Sequence, residues 1–200
     1  MNEIPDAIKS LRESSNRKFS QTFDLIINIS NIDLKKPESK FSKDIVLPHG
    51  KGKINKVCIL AESSEYNKLF LTDIEKDKKA AKAFCKSYDF FLCETSLMVL
   101  VGKVLGRYLG PSGKMPRPLP PNVDPKTFSK VFEKSIRLRI KDSPVIQCVV
   151  GNQTMDDIQI KENIDKVVEE VRKSMPPKSA IKNAYLKLTM SKPVLLNIVR

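Results

Sequence analysis

The spacing of apolar residues changes character twice along this chain. Residues 5–15 carry Ile8 and Leu11 at helical spacing, with Pro5 tolerated in a first turn, and predict a short helix ended by Asn16-Arg17-Lys18. Residues 19–29 read F-x-x-x-F-x-L-I-I-N-I, rich in aromatic and β-branched side chains, and predict a strand followed by a polar connection over 31–40. Segment 47–53, LPHGKGK, combines Pro48, Gly50 and Gly52 with two lysines and offers almost nothing to a core, so it marks a hinge or domain border. Beyond it, short apolar runs at 57–61 and 89–93 alternate with helix-like stretches at 77–87 and 96–108. That β-α-β-α order predicts a parallel sheet flanked by helices.

The proline-rich stretch 116–125 closes this unit, and Phe128, Val131 and Phe132 predict one more helix over 127–134. From 136 the period of two returns. I-R-L-R-I at 136–140 puts Arg137 and Arg139 on one face, and a second run at 145–150 after Asp142-Ser143-Pro144 predicts a hairpin. Residues 156–175 form the longest amphipathic stretch, with Ile160, Ile164, Val167, Val168 and Val171 on one face, stopped by Pro176-Pro177. Runs at 184–190 and 194–199 predict two final strands around Ser191-Lys192-Pro193. The two ends thus read as α+β and the middle as α/β.

Charge narrows the function. The chain has formal net charge +13, distributed as +3 over residues 1–53, +5 over 54–132 and +5 over 133–200, so the excess lies in folded-looking sequence and points to an anionic partner, nucleic acid first. Residues 171–200 contain seven basic residues and no acidic one. The run 101–118, VGKVLGRYLGPSGKMPRP, sets Gly102, Gly106, Gly110 and Gly113 beside Lys103, Arg107, Lys114 and Arg117, with no acid between Thr95 and Val123. On a helix the first three glycines form a side-chain-free stripe, and Pro111, Ser112 and Gly113 are expected to break that helix. A polyanion can approach such a backbone closely; tight packing on a neighbouring helix is the competing explanation.

Small-molecule chemistry finds little support. A P-loop requires glycine at 108 and Ser or Thr at 115, where Tyr108 and Met115 stand, and the dinucleotide glycine fingerprint is absent. His49 is the sole histidine and sits in a glycine-rich segment, a poor platform for a catalytic imidazole or a zinc site. Asp156-Asp157 precedes the long helix, where N-cap and dipole roles explain it better than a cation site. Cys58, Cys85, Cys93 and Cys148 form no C-x-x-C pair and are expected as reduced, buried thiols. No cofactor and no metal are expected, and neither a signal peptide nor a membrane span is evident, which suggests a cytoplasmic protein. A nucleotide-binding enzyme and a sequence-indifferent DNA binder remain the alternatives to specific RNA binding.

Several motifs together resemble one family. GRYLGPSGKMPRP at 106–118, with LPHGKGK at 47–53, KSYDFFLCE at 86–94, MDD at 155–157 and TMSKP at 189–193, is similar to the ribosomal protein L-one family of the large subunit in its archaeal type. The resemblance implies two domains. An α+β sandwich that binds ribosomal RNA is built from both chain ends, 1–53 with 133–200, and a Rossmann-like three-layer α/β domain, 54–132, is inserted through a hinge formed by His49, Gly50, Lys51 and Gly52 and a second crossing near Glu133. It implies that Lys18, Phe19, Gln21, Thr22, Thr189, Met190 and Ser191 face large-subunit ribosomal RNA. Lys103, Arg107, Ser112 and Lys114 are the implied secondary RNA or transfer-RNA contacts. A mobile stalk at the exit site, release of deacylated transfer RNA, repression of the protein's own messenger RNA and a monomeric state outside the ribosome complete what the resemblance implies. Two departures stand out: the family usually has Gly where Ser191 stands, which would loosen close backbone approach to RNA, and often Arg where Ser112 stands.

Overall fold

A computed structural model describes residues 3–14, 17–36, 40–120, 124–176 and 178–197. In chain order the elements are α1 (Ile4–Glu13), β1 (Thr22–Ser30), β2 (Ser42–Val46), β3 (Val57–Leu60), α2 (Lys68–Lys76), α3 (Lys78–Ser87), β4 (Phe90–Glu94), α4 (Met98–Ser112), β5 (Arg117–Leu119), α5 (Pro125–Glu133), β6 (Ser135–Arg139), β7 (Val145–Asn152), α6 (Asp157–Ser174), β8 (Ala180–Leu188) and β9 (Val194–Leu196). Contacts divide the chain into two compact units, Met1–Lys53 with Lys134–Arg200, and Ile54–Glu133. The outer residues of the expected last strand, 198 and 199, lie outside the described residues, as do Ser15, Asn16 and Pro177.

In the first unit a four-stranded antiparallel sheet runs β7-β1-β8-β9. Strict alternation in β1 buries Phe23, Leu25, Ile27 and Ile29. That face shares one core with Ile8 and Leu11 of α1 and Ile160, Ile164, Val167 and Val171 of α6. Burying each such Leu or Ile contributes roughly 1.5–3 kcal/mol, so this face dictates the register.

The expected hairpin of 136–140 with 145–150 does not form. β6 pairs with β2, from Ser42↔Arg139 to Val46↔Ser135, whereas β7 pairs with β1. The connection between them changes ladders: the amide of Ile140 donates to Phe41 O (3.0 Å) and that of Ile29 to Pro144 O (2.9 Å). The β2 ladder also places Asp44 beside Arg137, at 2.6 Å, an ion pair that a local hairpin would not provide.

The second unit has a parallel sheet in the order β3-β4-β5. Successive residues of β4 point to opposite faces: Phe91 meets Phe84 and Tyr88 at ring separations of 5.9 and 6.0 Å, and Phe90 meets Phe132 of α5 at 5.5 Å. Helices therefore cover both faces, as α/β layering requires. Helix α2, unread in the sequence, is capped by Asn67, whose side chain accepts from the amides of Leu69 and Phe70. Strand β5 lies inside the proline-rich stretch, where Pro118 is tolerated because it occupies an edge strand.

Helix α4 also departs from expectation. Pro111 lies within it, in the last turn, and the helix ends only at Ser112. Gly113 at φ +68° closes it, with the amide of Lys114 reaching Leu109 O (2.9 Å) and its own amide reaching Gly110 O (3.0 Å), a Schellman pattern. Proline this late loses one helical hydrogen bond, and the glycine closure satisfies the neighbouring carbonyls.

Candidate nucleic-acid interface

At one end of the first unit's sheet the start of β1, the turn after β7 and the end of β8 are stitched together. The hydroxyls of Thr22 and Thr189 lie 2.9 Å apart, the amide of Thr22 donates to Thr189 Oγ1 (3.2 Å), and the amide of Thr189 donates to Thr22 O (3.1 Å). Phe19, a few residues before Thr22 in the chain, and Met190, next to Thr189, have 53% and 60% of their surfaces exposed. Lys18 is exposed beside Phe19. The structure thus joins Thr22 and Thr189, with Met190 next in the chain, and leaves Lys18 and Phe19 exposed just before β1.

Two expected contact residues play other parts. Gln21 is 2% exposed and cannot face a ligand; it is a bracket between strands, its Oε1 accepting from the amide of Met190 (3.0 Å). Ser191 closes the turn after β8: its Oγ accepts from the amide of Leu188 (2.8 Å), and its amide donates to Leu188 O (3.0 Å). Asn31 is the one non-glycine residue with positive φ among those described, so Ser191 is not strained by lacking glycine's freedom.

Sequence reasoning missed the supports of this edge. Gln153 Oε1 accepts from the amide of Gln21 (2.9 Å), the amide of Gln153 donates to Gln21 O (3.0 Å), and Ser20 Oγ lies 2.6 Å from Asn152 Oδ1. Arg12 of α1 donates to Gln153 O (2.5 Å), to the carbonyl of Met155 and to Asp157 Oδ1 (2.8 Å), and stacks over Phe23 at 5.7 Å. Asp157 therefore serves Arg12, while Asp156, though at the N-cap position, makes no side-chain capping bond, contrary to the capping role expected of it. On the same strand as Thr22, Asp24 has its carboxyl pushed up by burial, against the pull of Lys187 and the Thr22 hydroxyl.

Asn163 was missed too. It is fully buried on the apolar face of α6, donating to Gly50 O (2.7 Å) and Val150 O (2.8 Å) and accepting from the amide of His49 (3.3 Å). A polar residue spaced three from Ile160 and four from Val167 was the legible signal. His49 Nε2 lies 2.5 Å from Glu162 Oε2. His49 and Gly50, expected in a hinge, are thus fastened to a helix, and Gly52, at φ +81°, is packed so closely that a Cβ would meet Asn152 Cβ at 2.6 Å.

In the second unit, nothing lies within 4 Å of where a Cβ would stand on Gly102, Gly106 or Gly110. The glycine stripe of α4 is open rather than packed on a helix, and Lys103 and Arg107 are exposed beside it. Ser112 is exposed, its hydroxyl bonded to Tyr108 O (2.9 Å). Lys114 departs from the expected contact role: its Nζ donates to Tyr88 O (2.6 Å) and Cys85 O (3.3 Å), capping the carboxyl end of α3. Arg137 is likewise unsuited to a basic face, being held by Asp44 with 15% and 8% of the two side chains exposed.

Among the described residues no group of three or more His, Cys, Asp or Glu is arranged to hold a metal ion, and no helix is long and apolar enough to cross a membrane. The four cysteines are buried and free; burial pushes the Cys58 and Cys148 thiols up to about 12 and Cys93 to about 11.

Comparison with known proteins gives the family of the chain. The model of the ribosomal protein L1p/L10e family matches residues 11–192. The chain is 41% identical to the large ribosomal subunit protein uL1 of Thermofilum pendens, over 96% of this chain and 91% of that one. It is 37% identical to the protein of the same name from Methanosphaera stadtmanae (94% and 95% covered) and 35% identical to that from Pyrococcus horikoshii (96% and 94%). The chain therefore belongs to the ribosomal protein L1p/L10e family, and is a ribosomal structural protein rather than an enzyme.

Proposed function

We propose that this protein is a constituent of the large ribosomal subunit in the cytoplasm and docks on large-subunit ribosomal RNA through Lys18, Phe19, Thr22, Thr189 and Met190. The observation that carries this reading is the bonded Thr22–Thr189 pair, with Met190 next to Thr189 and Phe19 shortly before Thr22 in the chain both exposed. Side chains cannot enter the deep major groove of A-form RNA, so recognition falls to the minor groove, to 2′-hydroxyls and to splayed bases. Hydroxyls held in place answer the 2′-hydroxyls, and Phe19 offers a stacking face, a contact worth about 1–3 kcal/mol per base. The open glycine stripe of α4 with Lys103, Arg107 and Ser112 supplies the secondary contact, to transfer RNA at the exit site.

In this reading the protein forms the mobile stalk beside the exit site, acts as a monomer before assembly, escorts deacylated transfer RNA outward and represses its own messenger RNA by offering the same edge. Because His49 and Gly50 are tied to Asn163, we place the flexing bonds beyond Gly52, around Lys53–Ile54 and Glu133–Lys134. Competition at near-physiological salt between a ribosomal RNA stalk fragment and equal lengths of unrelated duplex RNA and DNA tests the docking. A preference of several hundredfold that falls at least tenfold in Met190→Ala supports it; equal binding to all three leaves only a basic surface.

A further inference from the structure

The RNA-facing edge is assembled from three chain segments distant in sequence, and its two large apolar side chains are exposed. Besides the Thr22–Thr189 bonds and the turn closed by Ser191, a relay of side-chain to backbone hydrogen bonds reaches Met190. Arg12 Nη1 holds the carbonyl of Gln153 (2.5 Å), Gln153 Oε1 holds the amide of Gln21 (2.9 Å), and Gln21 Oε1 holds the amide of Met190 (3.0 Å). The backbone between Gln153 and Gln21 is also bonded, at 3.0 Å.

We infer that Gln21 and Gln153 are positioning residues for RNA recognition, with Arg12 as their anchor on α1: they set the place of Met190 without touching RNA. The inference rests on the docking reading above. Thr22 and Thr189 are joined directly by main-chain and hydroxyl bonds, so they keep their register without help. Met190 is different. It lies past the last residue of β8, and the one hydrogen bond described for its amide goes to a side chain. Preorganising a contact residue raises affinity by removing the ordering cost that binding otherwise bears. Such a residue acts chiefly on the dissociation rate.

The geometry also accounts for a glutamine at each step. Each side-chain oxygen accepts from a main-chain amide on a neighbouring segment, a role that leucine of similar volume cannot fill. Half-buried Gln153 is the gentler site to change, whereas Gln21 is embedded.

The test uses the full-length chain and a large-subunit ribosomal RNA fragment bound by wild type. Gln21→Leu and Gln153→Leu are expected to keep the wild-type far-ultraviolet spectrum, to bind at least tenfold more weakly through faster dissociation, and to speed amide hydrogen exchange at Met190. In a Met190→Ala background, Gln21→Leu should cost less than twofold, because the side chain it places is already gone. Wild-type affinity in both leucine variants, or losses that simply multiply with Met190→Ala, overturns the inference. Should Gln21→Leu fail to fold, Gln153→Leu decides by the same readings. Wild-type affinity in Phe19→Ala and Met190→Ala would instead overturn the docking edge, and exchange at Met190 would still report whether the relay positions it.

Discussion

Asn163 concentrates three constraints in one buried side chain, since its amide group answers a strand carbonyl, a loop carbonyl and a loop amide at once. Replacing it with Leu leaves three backbone groups to lose or re-find partners. Each orphaned group costs about 1–3 kcal/mol, and we expect a loss of at least 2 kcal/mol in urea unfolding. Gly52→Ala should be comparably harmful, combining an unfavourable φ with a 2.6 Å approach to Asn152. The thiols make a pH prediction. Their folded pKa values are raised, so the contribution is present below the unfolded value near 9 and is lost as pH climbs towards 11 and 12, because the unfolded chain ionises first. Urea midpoints should fall above pH 9, and Cys148→Ala should remove part of that fall.

Among the elements, α4 offers the clearest separation of stability from binding. Gly106 has open space around it, so Gly106→Ala should raise stability by about 0.5–1 kcal/mol through helix propensity alone. It should also weaken transfer-RNA binding severalfold if the bare backbone is the contact; thermal melts and binding titrations on one preparation check both. How far the elements could be read from sequence depended on length and locality. The long face of α6 and the aromatic and β-branched run of β1 were plain. Strands β2 and β5 were too short to show a period. β6 and β7 misled because nearness in sequence favours a hairpin, whereas the pairing is settled by Asp44 and the buried face of β1, both remote. Gln153 carried no pattern at all, since its role exists only once three distant segments meet.

For the whole molecule, both chain ends build the unit that carries the proposed RNA edge and the hydrogen-bonded supports described for it. The amide of Leu47 bonds Lys134 O at 3.1 Å and Val46 pairs with Ser135, so the chain leaves and re-enters this unit at adjacent places. Removing residues 54–133 and joining Lys53 to Lys134 through a short glycine linker should therefore keep ribosomal RNA affinity within a fewfold while abolishing the transfer-RNA contact. Salt titration of both forms checks the division: each duplex phosphate neutralised contributes about 0.9 to the log–log slope, and the shorter form should lose only the share carried by Lys103 and Arg107. The sheet order has one more consequence, for biogenesis. β1 is made early, yet Asn28 waits for Val145 and Phe23 for Leu188, so its apolar residues stay without their strands until nearly the whole chain has been translated. The unit proposed to grip RNA is completed last, and a truncated copy released from the ribosome would carry no finished edge with which to compete for the site.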